Sequence, residues 1–252
     1  MAGHSQFKNI MHRKGRQDKK RAQVFAKITR EIIVAVKAGG PNPGGNSRLK
    51  LALQNARSHS MPKDNIERAI KKASGAGDTD HYEELRYEGF GPGGVAIMVE
   101  VLTDNRNRSA GDLRSLFTKG GGNMGENNSV AFMFQRVGLI HYPADLSHDQ
   151  VFEKALEAGA DDVESGAAGH DIFVAADNLH QSAEQLEQLL GPPEEARLTW
   201  RPTTLMDVTD RDKGKELFQL LEQLDDHDDV QYVITNYNMD EALEEQLWKE
   251  LD

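Results

Sequence analysis

The chain contains no cysteine. That absence removes disulfides, thiolate metal sites and cysteine nucleophiles together, and it fits a reducing compartment. Aromatic residues are scarce, at 6%. No apolar run approaches the roughly 18 residues that a membrane span needs. The longest early stretch, Ile32-Ile33-Val34-Ala35-Val36, is far too short. The basic N-terminus is followed by no apolar region with a small-residue cleavage site, so no secretory signal is expected. The 9 histidines are scattered, without a His-Glu-x-x-His pair for a metal. No Gly-x-Ser-x-Gly elbow appears, and carboxylates are too numerous for any pair to stand out as acid and base. The expectation is a cytoplasmic, non-enzymatic protein with no cofactor and no membrane partner.

What the chain does have is charge, unevenly placed. The net charge is −11 over 252 residues. Residues 1–75 hold 17 Lys+Arg against 4 Asp+Glu, a net of +13. The remainder holds 13 against 37, a net of −24. A split of this size points to a polyanionic partner for the basic segment. Lys8, Arg13, Lys14 and Arg16 sit in a polar arm of about 18 residues, which is expected to order on a nucleic acid. Lys19, Lys20, Arg21, Lys27 and Arg30 continue the charge into a helix over about 18–37, whose buried stripe is Phe25, Ile28, Ile32 and Val36.

Gly39-Gly40-Pro41 stops that helix. A second starts near Asn46 or Ser47, and Pro62 suits the first position of a third. Residues 1–77 therefore read as a basic arm and a three-helix domain. Beyond them, residues 136–201 read as β-α-β-β-α-β, the order of a ferredoxin-like unit. The flanks, 82–135 and 202–240, spell the same order when joined, with strands at 95–102, 130–134, 205–209 and 230–236. The expected fold is α+β: a small helical domain plus two ferredoxin-like domains, one inserted into the other.

Motifs in the acidic part are mostly structural. Gly89-x-Gly91-x-x-Gly94 matches the letters of a dinucleotide fingerprint, but a strand follows it and Pro92 sits inside, so a hairpin turn is expected. Thr103-Asp104-Asn105-Arg106-Asn107-Arg108-Ser109 places two arginines at a helix start, with Ser109 read as the cap and Asp112 completing a capping box. Arg106 and Arg108 are candidates for a second phosphate contact; the competing reading is a hydrogen-bonded turn. Asp225-Asp226-His227-Asp228-Asp229 reads as a solvated loop, and Phe132, Met133 and Phe134 as core residues of a strand.

Several longer strings resemble the YebC family. They are Met1-Ala2-Gly3-His4-Ser5 with His12-Arg13-Lys14, Met61-Pro62-Lys63-Asp64-Asn65-Ile66-Glu67-Arg68-Ala69-Ile70, Tyr87-Glu88-Gly89-Phe90-Gly91-Pro92-Gly93-Gly94 and Thr103-Asp104-Asn105-Arg106-Asn107-Arg108. The resemblance covers essentially the whole chain. It implies a helical first domain, two α+β domains, a cytoplasmic location and no known catalysis. Such proteins are described as probable transcriptional regulators, with mitochondrial relatives described as translational activators. Where that family often has Lys-Trp after the opening His-Ser, this chain has Gln6-Phe7. Two partners follow as expectations: DNA, for a transcriptional regulator, or ribosomal RNA and the ribosome, for a translation factor. A weaker third is a protein partner met through the acidic domains.

Overall fold

The computed structural model describes residues 17–75 and 81–251. Among the described residues the first elements are three helices: α1 (Gln17–Gly39), α2 (Ser47–Ser58) and α3 (Lys63–Ser74). A hairpin of β1 (Glu83–Phe90) and β2 (Ala96–Thr103) follows, then α4 (Arg106–Lys119) and the short β3 (Asn123–Met124). Next come β4 (Phe134–Tyr142), α5 (His148–Glu157), β5 (Asp162–Gly166), β6 (Gly169–Ala175), α6 (Leu179–Leu190) and β7 (Glu195–Pro202). The last elements are β8 (Met206–Asp207), α7 (Arg211–Asp225), β9 (Val230–Thr235), β10 (Tyr237–Asn238) and α8 (Glu241–Leu251). The fold is α+β, with a helical segment followed by sheet-bearing domains. Among the described residues, no helix is long and apolar enough to cross a membrane.

The elements form two compact units. Among the described residues, one consists of 20–75 with 136–200; the other is built chiefly from 81–135 and 201–251. In the first unit, α1 buries Ile28, Ile32 and Val36 of the expected stripe, with Ile33, Val34 and Ala35 beside them, while Phe25, expected in the same stripe, is half-buried. Asn46 then ties two helices together. Its Oδ1 accepts from Leu49 N at 3.0 Å, capping α2. Its Nδ2 donates to Ala35 O at 2.7 Å and Gly40 O at 2.8 Å, satisfying carbonyls at the end of α1. Arg48 adds a two-pronged contact to Glu31, at 2.6 and 3.0 Å.

The sheet of this unit has the order β5-β6-β4-β7. With α5 between β4 and β5, and α6 between β6 and β7, it is the expected ferredoxin-like arrangement. Its core is Ile140, Tyr142, Val151, Ile172, Val174 and Leu186, and Leu51 of α2 packs against it. Lys50 and Gln54, also on α2, reach Glu184 and Glu187 of α6 at 2.8 and 3.0 Å. One side of α2 is thereby occupied.

The second unit departs from expectation in an informative way. Its sheet has the order β3-β1-β2-β9, antiparallel at every pairing. The neighbour order matches that of the other sheet if β2, β3, β1 and β9 stand for its four strands in turn. The third position is filled by β1, which comes first in the chain. Residues 130–134 are not a strand of this sheet: Ala131–Met133 is a single 3-10 turn, and Phe134 opens β4. Residues 205–209 supply only the two-residue β8, paired parallel with β10. β2, central in the sheet, is buried on both faces apart from Glu100.

The β1–β2 turn is the hairpin expected for the glycine-rich motif. Gly91 N donates to Val95 O at 2.8 Å, and Gly93 and Gly94 take φ of 74° and 76°, where a side chain is strained. Gly89 is needed for a different reason: a Cβ there would stand 2.5 Å from Asn123 O of β3.

Helix α8 docks on α7 through Trp248, stacked on Phe218 at 4.2 Å, with Tyr237 edge-on to the same ring. Buried beside them is Glu244, whose Oε1 accepts from Tyr237 Oη at 3.0 Å. Burial pushes the Glu244 carboxyl up from its ordinary 4.5 to about 7, and Glu241 adds to the rise. Between those values the folded chain holds a proton that the unfolded chain has released. Stability therefore falls as pH rises across that window and is flat above it. Glu244→Gln is expected to stabilise the protein by about 1–3 kcal/mol at pH 8 and to add little at pH 4.5. Urea midpoints at the two pH values check this; an equal gain at both would contradict it.

Candidate nucleic-acid interface

The residues expected to grip a polyanion fall into three groups. Lys8, Arg13, Lys14 and Arg16 lie outside the described residues. Lys19 and Lys20 belong to the first turn of α1, and their side chains are likewise outside the described set. Arg21 is exposed, its guanidinium 5.3 Å above the Phe25 ring, a cation–π contact that leaves the charge in solvent. Lys27 and Arg30 are half-buried on α1, and both are engaged with other groups.

Helix α3 adds cations that the reading of the arm overlooked. Lys63, Arg68, Lys71 and Lys72 are all exposed on a helix that buries only Ala69. The signal was present: the apolar residues at 66, 69, 70 and 73 leave the rest of the helix to basic side chains.

In the second unit the two candidate arginines have different roles. Asn105, not Ser109, caps α4: its Oδ1 accepts from Arg108 N at 3.1 Å. Ser109 is buried inside the helix, with its hydroxyl 2.8 Å from Asp229 Oδ2 and 2.7 Å from Thr103 Oγ1. Arg108 Nη2 reaches Asp229 Oδ2 at 2.9 Å and Asp104 Oδ1 at 2.8 Å. Thr103 Oγ1 donates to the same Asp229 oxygen at 3.1 Å. Asp229, read as part of a solvated acidic loop, is thus a buried hub that joins β2, α4 and the entry to β9. Burial acts to raise its carboxyl, but hydrogen bonds from Arg108, Ser109 and Thr103 outweigh that and hold it below the usual range. Asp229→Ala is expected to cost about 2–3 kcal/mol by orphaning those donors. Arg106→Ala should leave stability within about 0.5 kcal/mol. Thermal melts of the two variants test the contrast.

Arg106 is exposed and forms no ion pair among the described residues. With Glu84, Arg86, Tyr87, Asn127 and Asn128 it lines an open depression of about 340 Å³. The Tyr87 hydroxyl donates to Arg106 O at 3.3 Å, and burial raises the phenol pKa, so it remains protonated near neutral pH. Arg86 spans Glu88 and Asn128, at 2.9 and 3.0 Å.

Glu88 organises the loop on one side of this depression. Its side chain is buried, and Oε2 accepts from the amides of both Val130 and Ala131 at 2.9 Å. Thr203 holds the far end, its N and Oγ1 both donating to Met133 O, at 2.8 and 3.0 Å. Val130 and Phe134 are buried anchors. Phe132 between them is 73% exposed, which corrects the reading of it as core. Leaving a phenylalanine in water forgoes roughly 1.5–3 kcal/mol of burial. The pattern of apolar residues at 130–134 hid this, because a 3-10 turn replaces the expected strand. Among the described residues no group of His, Asp and Glu could hold a metal ion.

With the geometry in place, comparison with known proteins is direct. Residues 5–76 match the family model described as the TACO1/YebC protein N-terminal domain. Residues 82–237 match a transcriptional-regulator model described as the TACO1/YebC second and third domain. A conserved hypothetical protein, Aq1575 from Aquifex aeolicus, has a crystal structure similar to this chain. It is 44% identical, with a TM-score of 0.87, over 91% of this chain and 95% of that one.

Proposed function

The chain belongs to the TACO1/YebC family, and on that premise we propose that it is a nucleic-acid-binding regulator of gene expression that works in the cytoplasm by binding, without catalysis. The observation that carries this reading is the charge split, +13 in residues 1–75 against −24 in the rest. A basic segment of that density neutralises phosphates and releases their counterions, which gives affinity that falls steeply with salt. The acidic remainder repels nucleic acid elsewhere on the molecule and limits contact to the basic face.

A DNA target is the reading favoured by the family's transcriptional-regulator description. Sequence-specific DNA readout requires side chains at base edges. Helix α2 is poorly available for this, since Lys50, Leu51 and Gln54 are engaged with the adjoining sheet domain; α3, with its exposed cations, is the better-placed helix. A ribosomal RNA target is the second reading, favoured by the exposed Phe132 on its pinned turn.

Replacing Lys19, Lys20, Arg21 and Lys27 with glutamine should weaken nucleic-acid binding at least tenfold near physiological salt. The slope of log K against log salt should shrink by about 0.7–0.9 for each phosphate that is no longer neutralised. Fluorescence anisotropy across a salt series measures both. Unchanged affinity and slope would remove the electrostatic basis of the proposal. Recovery of the protein with ribosomes, or with a promoter fragment, at moderate salt separates the two targets.

A further inference from the structure

Phe132 is out of place as a structural residue. A large aromatic ring on a soluble domain normally finds cover, and this one has buried neighbours at Val130 and Phe134. The turn that carries it is restrained on both sides. The Glu88 carboxylate holds two successive amides ahead of Phe132, and Thr203 holds the carbonyl just after it. The ring is displayed on a backbone that is already fixed, so a partner meets a rigid platform and little ordering entropy is lost on contact. Asn128, four positions earlier in the sequence, lies within about 14 Å by chain length alone and lines the depression that also holds Arg106. A flat apolar ring, amide side chains and an unpaired guanidinium thus stand within the reach of one short strand.

We propose that Phe132 is a stacking platform for an unpaired base of single-stranded RNA, with Arg106 and the Asn127–Asn128 amides receiving the adjoining backbone or base edge. This rests on the nucleic-acid-binding reading above and adds a second contact site, on a different unit from the basic helices. The chemistry selects the partner. In a duplex the bases are already stacked and their faces are covered, whereas RNA loops and bulges present splayed bases that proteins capture on aromatic side chains. Asparagine amides can meet either a base edge or a 2′-hydroxyl, while arginine meets phosphate. A bare apolar patch would attract a protein partner; a ring beside a guanidinium and two amides suits a nucleotide better.

The test uses the full chain and a 12-nucleotide single-stranded RNA carrying 2-aminopurine, alongside its duplex and the DNA strand of the same sequence. Wild type should bind the single-stranded RNA and quench 2-aminopurine, and should prefer it to the duplex and to the DNA strand. Phe132→Leu, which keeps apolar bulk but has no ring, should bind it roughly 5- to 150-fold more weakly, equivalent to about 1–3 kcal/mol at about 1.4 kcal/mol per tenfold. Quenching should also be lost. Phe132→Trp should retain both, and melting temperatures confirm that the variants are folded. If Phe132→Leu binds and quenches as wild type does, the platform is refuted while the nucleic-acid reading stands. Equal or better binding of the duplex refutes it too, and equal Phe132-dependent binding of the DNA strand refutes its assignment to RNA. If wild type binds none of the three probes and the basic-helix variant changes nothing, the parent reading fails instead.

Discussion

Pairing of β1 with β2 over eight residues, from Glu83↔Thr103 to Phe90↔Ala96, governs the second unit. Because β1 takes the position between β2 and β3, the chain need not bring in another strand after β3 to fill it. Residues beyond Met124 are free to leave, build a second sheet, and return for α7 and β9. The same strand positions the parts of the candidate site. Tyr87 meets α4, Glu88 holds the loop that displays Phe132, and Gly89 permits the approach of β3.

The two arginines at the start of α4 show how a shared motif divides its labour. Arg108 spans Asp104 and Asp229, so it closes the strand-to-helix turn in the way anticipated for such a string. Arg106 keeps its charge in solvent. The difference comes from helical geometry: two positions apart, the side chains leave opposite sides of the helix, and only one faces the Asp229 hub.

Much of this architecture could be read from the chain. The three helices, the hairpin turn and the β4–β7 unit rest on local signals: apolar spacing, caps and glycine-rich turns. Leu179–Leu190 and the Asn46 cap are examples. Three of the failures share a cause, which is that the deciding contact is remote in sequence. β3 has two residues and is defined only by pairing with β1. Val130–Phe134 looks like a strand until Glu88, 42 residues away, takes its amides. Asp229 looks solvated until Thr103, 126 residues away, is placed beside it. Ser109 and Asn105 are both good caps by composition, and backbone geometry selects Asn105. Of the candidate contacts, charge revealed the basic segment, while Phe132 gave no sign because an apolar run carries no record of which member is left outside.

The split construction of the second sheet also shapes how the molecule is made. Ala96 and Asn236, 140 residues apart, must meet before β9 can close the sheet. The β1–β2 hairpin can form as soon as it leaves the ribosome, and the β4–β7 unit can complete its own local pairings soon after. Until β9 emerges, however, β2 presents an open edge of apolar residues. One edge of β2 therefore stays open for about half of the chain's synthesis, and the length of the unit between β3 and β9 sets how long that exposure lasts.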